Sequence, residues 1–125
     1  MKTLRALIVE DYRDTADLLA LWVKSAGHEP RICHTAFQAE QAMPEFRPDV
    51  VLLDIGLPDM DGWELAPLLR QEDPGLTIIA ITAYLSLDDR QRSKAAGIDL
   101  HVGKPLRRDR IQKLLALVAT DEPLV

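Results

Sequence analysis

Val50-Val51-Leu52-Leu53-Asp54-Ile55-Gly56-Leu57-Pro58 is the stretch from which the fold can be read. Four apolar residues run into one carboxylate, and a Gly and a Pro then open a loop. An unbroken apolar run suits a strand covered on both faces. The acid falls where that strand leaves the sheet. In open α/β sheets, ligands and chemistry gather at this carboxyl end. Acids are seldom buried there without a partner, so Asp54 is a candidate functional residue.

Upstream, residues 4–9 form a short apolar run broken by Arg5 and ended by Glu10-Asp11. Residues 14–26 carry Leu18, Leu19, Trp22 and Val23 at helical spacing, with Trp22 expected on the inner face and Gly27 as the stop. Residues 29–34 read as a weaker, edge-like strand. Thr35 with Gln38 predicts a capping box for a second helix ending near Phe46, or earlier at Pro44. Downstream, Asp61 and Glu64 sit in cap-like positions of a third helix. Its apolar face is Leu65, Leu68 and Leu69, and Pro67 falls in the tolerant first turns. Pro74-Gly75 marks a turn before a β-branched strand over 77–81 that ends at Thr82. Ser86 and Asp89 cap a fourth helix that stops at Gly97. A short strand over 100–102 precedes Gly103-Lys104-Pro105. The last helix spans 107–119, with Ile111, Leu114, Leu115 and Val118 inward.

Strand and helix thus alternate five times. One helix per connection implies parallel strands. The prediction is an α/β, doubly wound, five-stranded parallel sheet with five helices on both faces. One domain covers residues 1–120, and 121–125 form a loose tail.

Composition agrees with one globular domain: 125 residues, 47 % apolar and 28 % charged. A net charge of −5 argues against a general nucleic-acid role. Cys33, the single cysteine, excludes an internal disulfide and fits a reducing compartment. Its default role is a small core residue. No stretch is long and apolar enough for a membrane span, and the N-terminus meets Glu10-Asp11 too soon for a secretory signal. A cytoplasmic location is expected.

Four strand ends carry polar groups: Glu10-Asp11, Asp54, Thr82 and Lys104. A parallel sheet brings them to one edge. Close carboxylates repel one another and raise at least one pKa, which a divalent cation relieves. Mg²⁺, or Mn²⁺, suits hard oxygen ligands and is expected on Asp11 and Asp54, with Glu10 acting through water. A carboxylate beside such an ion can attack phosphorus to give an aspartyl phosphate. Lys104 and Thr82 would then face the charged equatorial oxygens. Singly, these residues read as a solvated loop, a strand-end hydroxyl and a surface lysine. Together on one edge they point to phosphoryl chemistry.

The chain resembles the receiver domain of two-component response regulators. The matching pieces are Glu10-Asp11, Val51-Leu52-Leu53-Asp54, Leu57-Pro58-Asp59-Met60-Asp61-Gly62, Ile81-Thr82-Ala83 and Lys104-Pro105, in order across nearly the whole chain. The resemblance implies a flavodoxin-like strand order 2-1-3-4-5. It implies a phosphoryl group passing onto Asp54 from the phosphohistidine of a sensor histidine kinase or histidine phosphotransfer protein. It implies Mg²⁺ on Glu10, Asp11, Asp54 and the Gly56 carbonyl, and signal transmission through Thr82 and Lys104. A cis peptide before Pro105 is also expected.

One departure is His101, three residues before Lys104, where the family usually has Tyr or Phe. Either His101 moves toward Thr82 on phosphorylation, or it is a partly exposed strand residue. Imidazole titrates near neutral pH, so a His switch would make output pH-dependent. Tyr84 falls where the family tunes water access to the acyl phosphate; otherwise it is a loop aromatic. Trp63 could report metal binding. Arg107, Arg108, Arg110 and Lys113 form a solvated face or a docking patch for an acidic partner or a second copy. The family implies an unknown downstream protein target and a homodimer through the fourth helix, fifth strand and fifth helix. Neither nucleic-acid binding by the chain itself nor membrane association is expected.

Three other readings are weaker. An Asp-nucleophile phosphohydrolase would want a second acid where Gly56 stands. A phosphorylation-independent pseudo-receiver would not need the full polar set. A flavin site would want donors where Glu10-Asp11 stand. The chain therefore reads as a signalling module, not an enzyme with metabolite turnover. A stand-alone receiver is expected over a fragment of a hybrid kinase or longer regulator.

Overall fold

Strand β3 (Val50–Asp54) is buried at all five positions and occupies the middle of the sheet. Around it the chain runs β1 (Arg5–Val9), α1 (Arg13–Ser25), β2 (Glu29–Cys33) and α2 (Ala36–Phe46). After β3 come α3 (Gly62–Glu72), β4 (Thr77–Thr82), α4 (Leu87–Ala95), β5 (Leu100–Gly103) and α5 (Arg108–Ala119). The structure is a computed structural model and describes residues 2–83 and 86–124. All strand pairs are parallel, in the order β2-β1-β3-β4-β5.

The apolar run of β3 serves two cores because successive side chains point to opposite faces. Val51 and Leu53 join Leu7, Ile78 and Ala80 beneath Met43 of α2 and Leu65 and Leu69 of α3. Val50 and Leu52 join Ala6, Ile8, Ile79 and Ile81 beneath Leu19 and Val23 of α1 and Leu115 of α5. The strand has no solvent face, which is why its sequence does not alternate. Pro30 lies in edge strand β2, where a missing donor does least harm.

Several local expectations change. Leu18 points outward and is 43 % exposed, because Ala16, Leu19 and Val23 make the buried stripe of α1. Trp22 is half-buried against that core. Pro44 does not end α2 early; the helix continues to Phe46, and the Arg47 N–H closes on the Met43 carbonyl. The Thr35 hydroxyl accepts from the Gln38 N–H, but Gln38 returns its oxygen to the His34 N–H at 2.7 Å, not to Thr35. The capping box predicted at Ser86 and Asp89 forms in both directions. Leu68 and Val118 are only half-buried. Past α5, the N–H groups of Asp121 and Glu122 bond to the carbonyls of Val118 and Leu117, and Leu124 packs against the α1–α5 core. Among the described residues no helix is long and apolar enough to cross a membrane.

Candidate functional site

Parallel register sets the site. Val9 pairs with Leu53, Asp54 with Ile81 and Thr82 with Gly103, so the next residues at each strand end converge on one rim. Glu10, Asp11 and Asp54 offer carboxylate oxygens that all lie within 4.8 Å of one another. Glu10 is 1 % exposed and Asp54 7 %, while Asp11 faces solvent. Lys104 reaches in from the end of β5, its Nζ 3.3 Å from Glu10 Oε1 and 3.7 Å from Asp54 Oδ1. Thr82, almost fully buried, ends β4, and its carbonyl accepts the Lys104 N–H at 3.1 Å. The Lys104-Pro105 peptide is cis.

This donor set fits a hard divalent cation. Burial pushes the Glu10 carboxyl up to about 8, helped by its hydrogen bond with Asp54 and the charge of Asp54, and opposed by Lys104. A proton shared between two buried carboxylates marks a place where positive charge is missing. A Mg²⁺-sized ion would supply that charge through oxygen ligands alone. Gly56 stands at the rim and gives its N–H to Asp54 Oδ1 at 3.1 Å.

The loop from Gly56 to Asp61 is held close to the site by two devices absent from the sequence reading. Asp59 caps a different helix: its oxygens accept from the Ala36 and Phe37 N–H groups at 2.9 and 3.0 Å. Those amides, that of Ala36 foremost, hold its carboxyl below the usual range. Gly62 gives its N–H to the Ile55 carbonyl at 2.8 Å, and a Cβ there would lie 2.9 Å from Ile55 Cα. Replacing Gly62 by Ala should therefore lower stability by about 1–3 kcal/mol in denaturant unfolding, as overpacking against backbone does. An unchanged midpoint would show that the loop has room to move.

His101 lies half-buried on β5, two rows below Thr82. Its Nε2 is hydrogen-bonded to Ser93 Oγ, and the same oxygen accepts from Trp63 Nε1 at 2.7 Å. Ser93 is the one buried residue among those described in α4. Arg92 covers the Trp63 ring at 4.2 Å and reaches Asp61 at 3.7 Å. Helix α4 is thus fastened by polar contacts to the first turn of α3 and to β5. Burial, then the charge of Arg90, holds the imidazole below its ordinary pKa against the pull of Asp89. Its Nδ1 is buried with no partner among the described residues. The reading of Tyr84 lies outside the described residues. Nothing in the spacing of Ser93 or Asp59 marks them, because their partners are distant in sequence.

The family model for the response regulator receiver domain matches residues 6–116. This chain belongs to that family. Transcriptional regulatory protein PhoP of Escherichia coli (strain K12) is 33 % identical to it over 108 residues, covering 86 % of the chain and 48 % of PhoP. Sensor histidine kinase RcsC of the same organism is 31 % identical over 113 residues, 90 % of the chain but 12 % of RcsC. The crystal structure of a CheY-like response regulator receiver domain protein from Methanospirillum hungatei JF-1 superposes with a TM-score of 0.86 at 30 % identity, covering 94 % of both chains. The receiver domain described here spans about half the length of the PhoP relatives. It is a two-component signalling domain with the CheY-like flavodoxin fold.

Proposed function

We propose that this receiver domain accepts a phosphoryl group on Asp54 and changes its protein partner when it does. The observation that carries the reading is the clustering of Glu10, Asp11, Asp54 and Lys104 at one rim. The donor is the phosphohistidine of a sensor histidine kinase or histidine phosphotransfer protein. An Asp54 oxygen attacks phosphorus, the P–N bond to the histidine breaks, and the electron pair leaves on the imidazole. The Asp54 oxygen that takes the Gly56 N–H is held in place before attack. Lys104 Nζ is placed to leave its carboxylate partners and pair with a phosphoryl oxygen. Thr82 follows with its hydroxyl. Glu10, Asp11, Asp54 and the Gly56 carbonyl would hold Mg²⁺ or Mn²⁺, which neutralises phosphoryl charge when bound. The domain itself has no metabolite to turn over. Kinship with both a regulator and a hybrid kinase is compatible with the same chemistry in either setting.

The signal passes outward through Thr82 and His101. Because Ser93 bridges His101 and Trp63, α4 answers to both β5 and the loop after Asp54. Ser93→Ala should cost about 1–3 kcal/mol by removing the hydroxyl that His101 Nε2 and Trp63 Nε1 both meet. It should also speed amide exchange across α4 in the unphosphorylated protein. His101→Ala should remove the difference in α4 exchange between the phosphorylated and free states. Retention of that difference would show that His101 is not the switch.

Intact mass after incubation with acetyl phosphate and Mg²⁺ tests the central claim. A single phosphoryl adduct that appears only with the metal is expected. No adduct would overturn the reading.

A further inference from the structure

The turn between β2 and α2 supplies no carboxylate to the rim, yet both loops that carry the candidate metal ligands are tied to it. From the loop after β3, Asp59, three residues past Gly56, accepts the Ala36 and Phe37 N–H groups. From the loop after β1, Glu10 is gripped on both sides of its backbone. Its N–H donates to the Cys33 carbonyl at 2.9 Å, which closes the β1–β2 ladder. Its carbonyl lies 2.9 Å from Nδ1 of His34. A carbonyl only accepts, so Nδ1 carries the hydrogen and donates it. A parallel ladder carried one step further would give that carbonyl the N–H of Thr35. The chain has already turned toward α2 at Thr35, the N-cap of the helix, and the His34 ring supplies the donor instead.

The Glu10 carbonyl belongs to the peptide unit that joins Glu10 to Asp11. That unit is planar, so a donor fixed on its oxygen fixes the plane from which both acids depart. Glu10 is packed in place, but Asp11 faces solvent and owes its position to the backbone. The donor is itself steadied. His34 is half-buried, and its own N–H goes to Gln38 Oε1 at 2.7 Å, while the Gln38 N–H goes to Thr35 Oγ1 at 3.1 Å.

We propose that His34 is a positioning residue for the metal site: through the Glu10 carbonyl it presets the Glu10 and Asp11 carboxylates for a divalent cation. This role rests on the reading of Glu10, Asp11 and Asp54 as that site. His34 stands outside the ligand cluster and reaches it through the main chain. Groups that orient ligands from outside carry much of a site's affinity.

The probe is Mn²⁺, titrated with no phosphodonor present, and the free ion is read by electron paramagnetic resonance. The wild type is expected to bind it. His34→Leu and His34→Asn share one branched outline, and only the amide keeps a donor near the place of Nδ1. His34→Leu should weaken binding by about tenfold, the lower end of the effect of groups that orient ligands from outside, and His34→Asn should stay within about threefold of the wild type. His34→Ala, which also lacks the donor, should fall with His34→Leu. Thr35→Ala takes the helix cap from the same turn and is the structural control, expected within about twofold of the wild type. Thermal unfolding of each variant sets a titration temperature at which all are folded. If the wild type binds no Mn²⁺, the metal reading fails and this role fails with it. Where the wild type binds, undiminished affinity in His34→Leu, no recovery in His34→Asn, or an equal loss in Thr35→Ala would overturn the role of His34 alone.

Discussion

Asp54→Asn should take no phosphoryl group from acetyl phosphate and Mg²⁺ under conditions in which the wild type is modified. The amide keeps the size of the side chain but lacks the anionic oxygen that, on the proposed reading, would attack phosphorus. It also removes one of the charges that Lys104 bridges, at 3.7 Å, while leaving the 3.3 Å contact to Glu10. The variant should fold, because an amide of the same size still accepts the Gly56 N–H. Above about pH 8, where Glu10 is ionised, removing the neighbouring carboxylate should stabilise the metal-free form. Intact mass and a thermal unfolding curve on the same sample check both halves. An adduct of equal yield on Asp54→Asn would move the acceptor elsewhere in the chain.

The second large effect is on stability against pH. Glu10 holds its proton up to about pH 8, against 4.5 for an ordinary glutamate. Within that window the native state binds more protons than the unfolded chain, so stability must fall as pH rises. The slope is bounded by about 1.4 kcal/mol per pH unit for one group. Above the window Glu10 is charged while buried beside the Asp54 carboxyl. On the reading proposed for this site, Mg²⁺ would bind the ionised carboxylates in the native state alone and so stabilise it by mass action. Mg²⁺ should therefore raise the unfolding midpoint more at the top of the window than at its foot. Glu10→Gln should flatten the metal-free slope. Stabilisation by Mg²⁺ that ignores pH, or a slope that survives in Glu10→Gln, would refute the shared-proton account.

How much of this was legible beforehand differs between elements. The β3 run was unmistakable because a two-sided strand needs apolar residues at every position, a rule that acts within five residues. The cap at Ser86 and Asp89 was equally legible, since both partners lie within one helical turn. The outward turn of Leu18 was not, because four apolar residues on α1 compete for a stripe that only packing against the sheet can choose. The box at Thr35 failed in half for a similar reason: Gln38 found a second N–H, that of His34, within reach.

Sequence alone determined the α/β alternation, the parallel sheet and the residues of the rim. Each follows from periodicity, from short-range capping, or from chemistry that collects at the carboxyl ends of parallel strands. Tertiary structure decided what holds that rim in place and how α3, α4 and β5 are joined beside it. Asp59 reaches across to α2, Gly62 presses on Ile55, and Ser93 joins Trp63 to His101. These contacts span seven to thirty residues of sequence, and no local pattern encodes them. They exist because the sheet register and helix packing bring those side chains within hydrogen-bonding or van der Waals distance, which only the folded chain can specify.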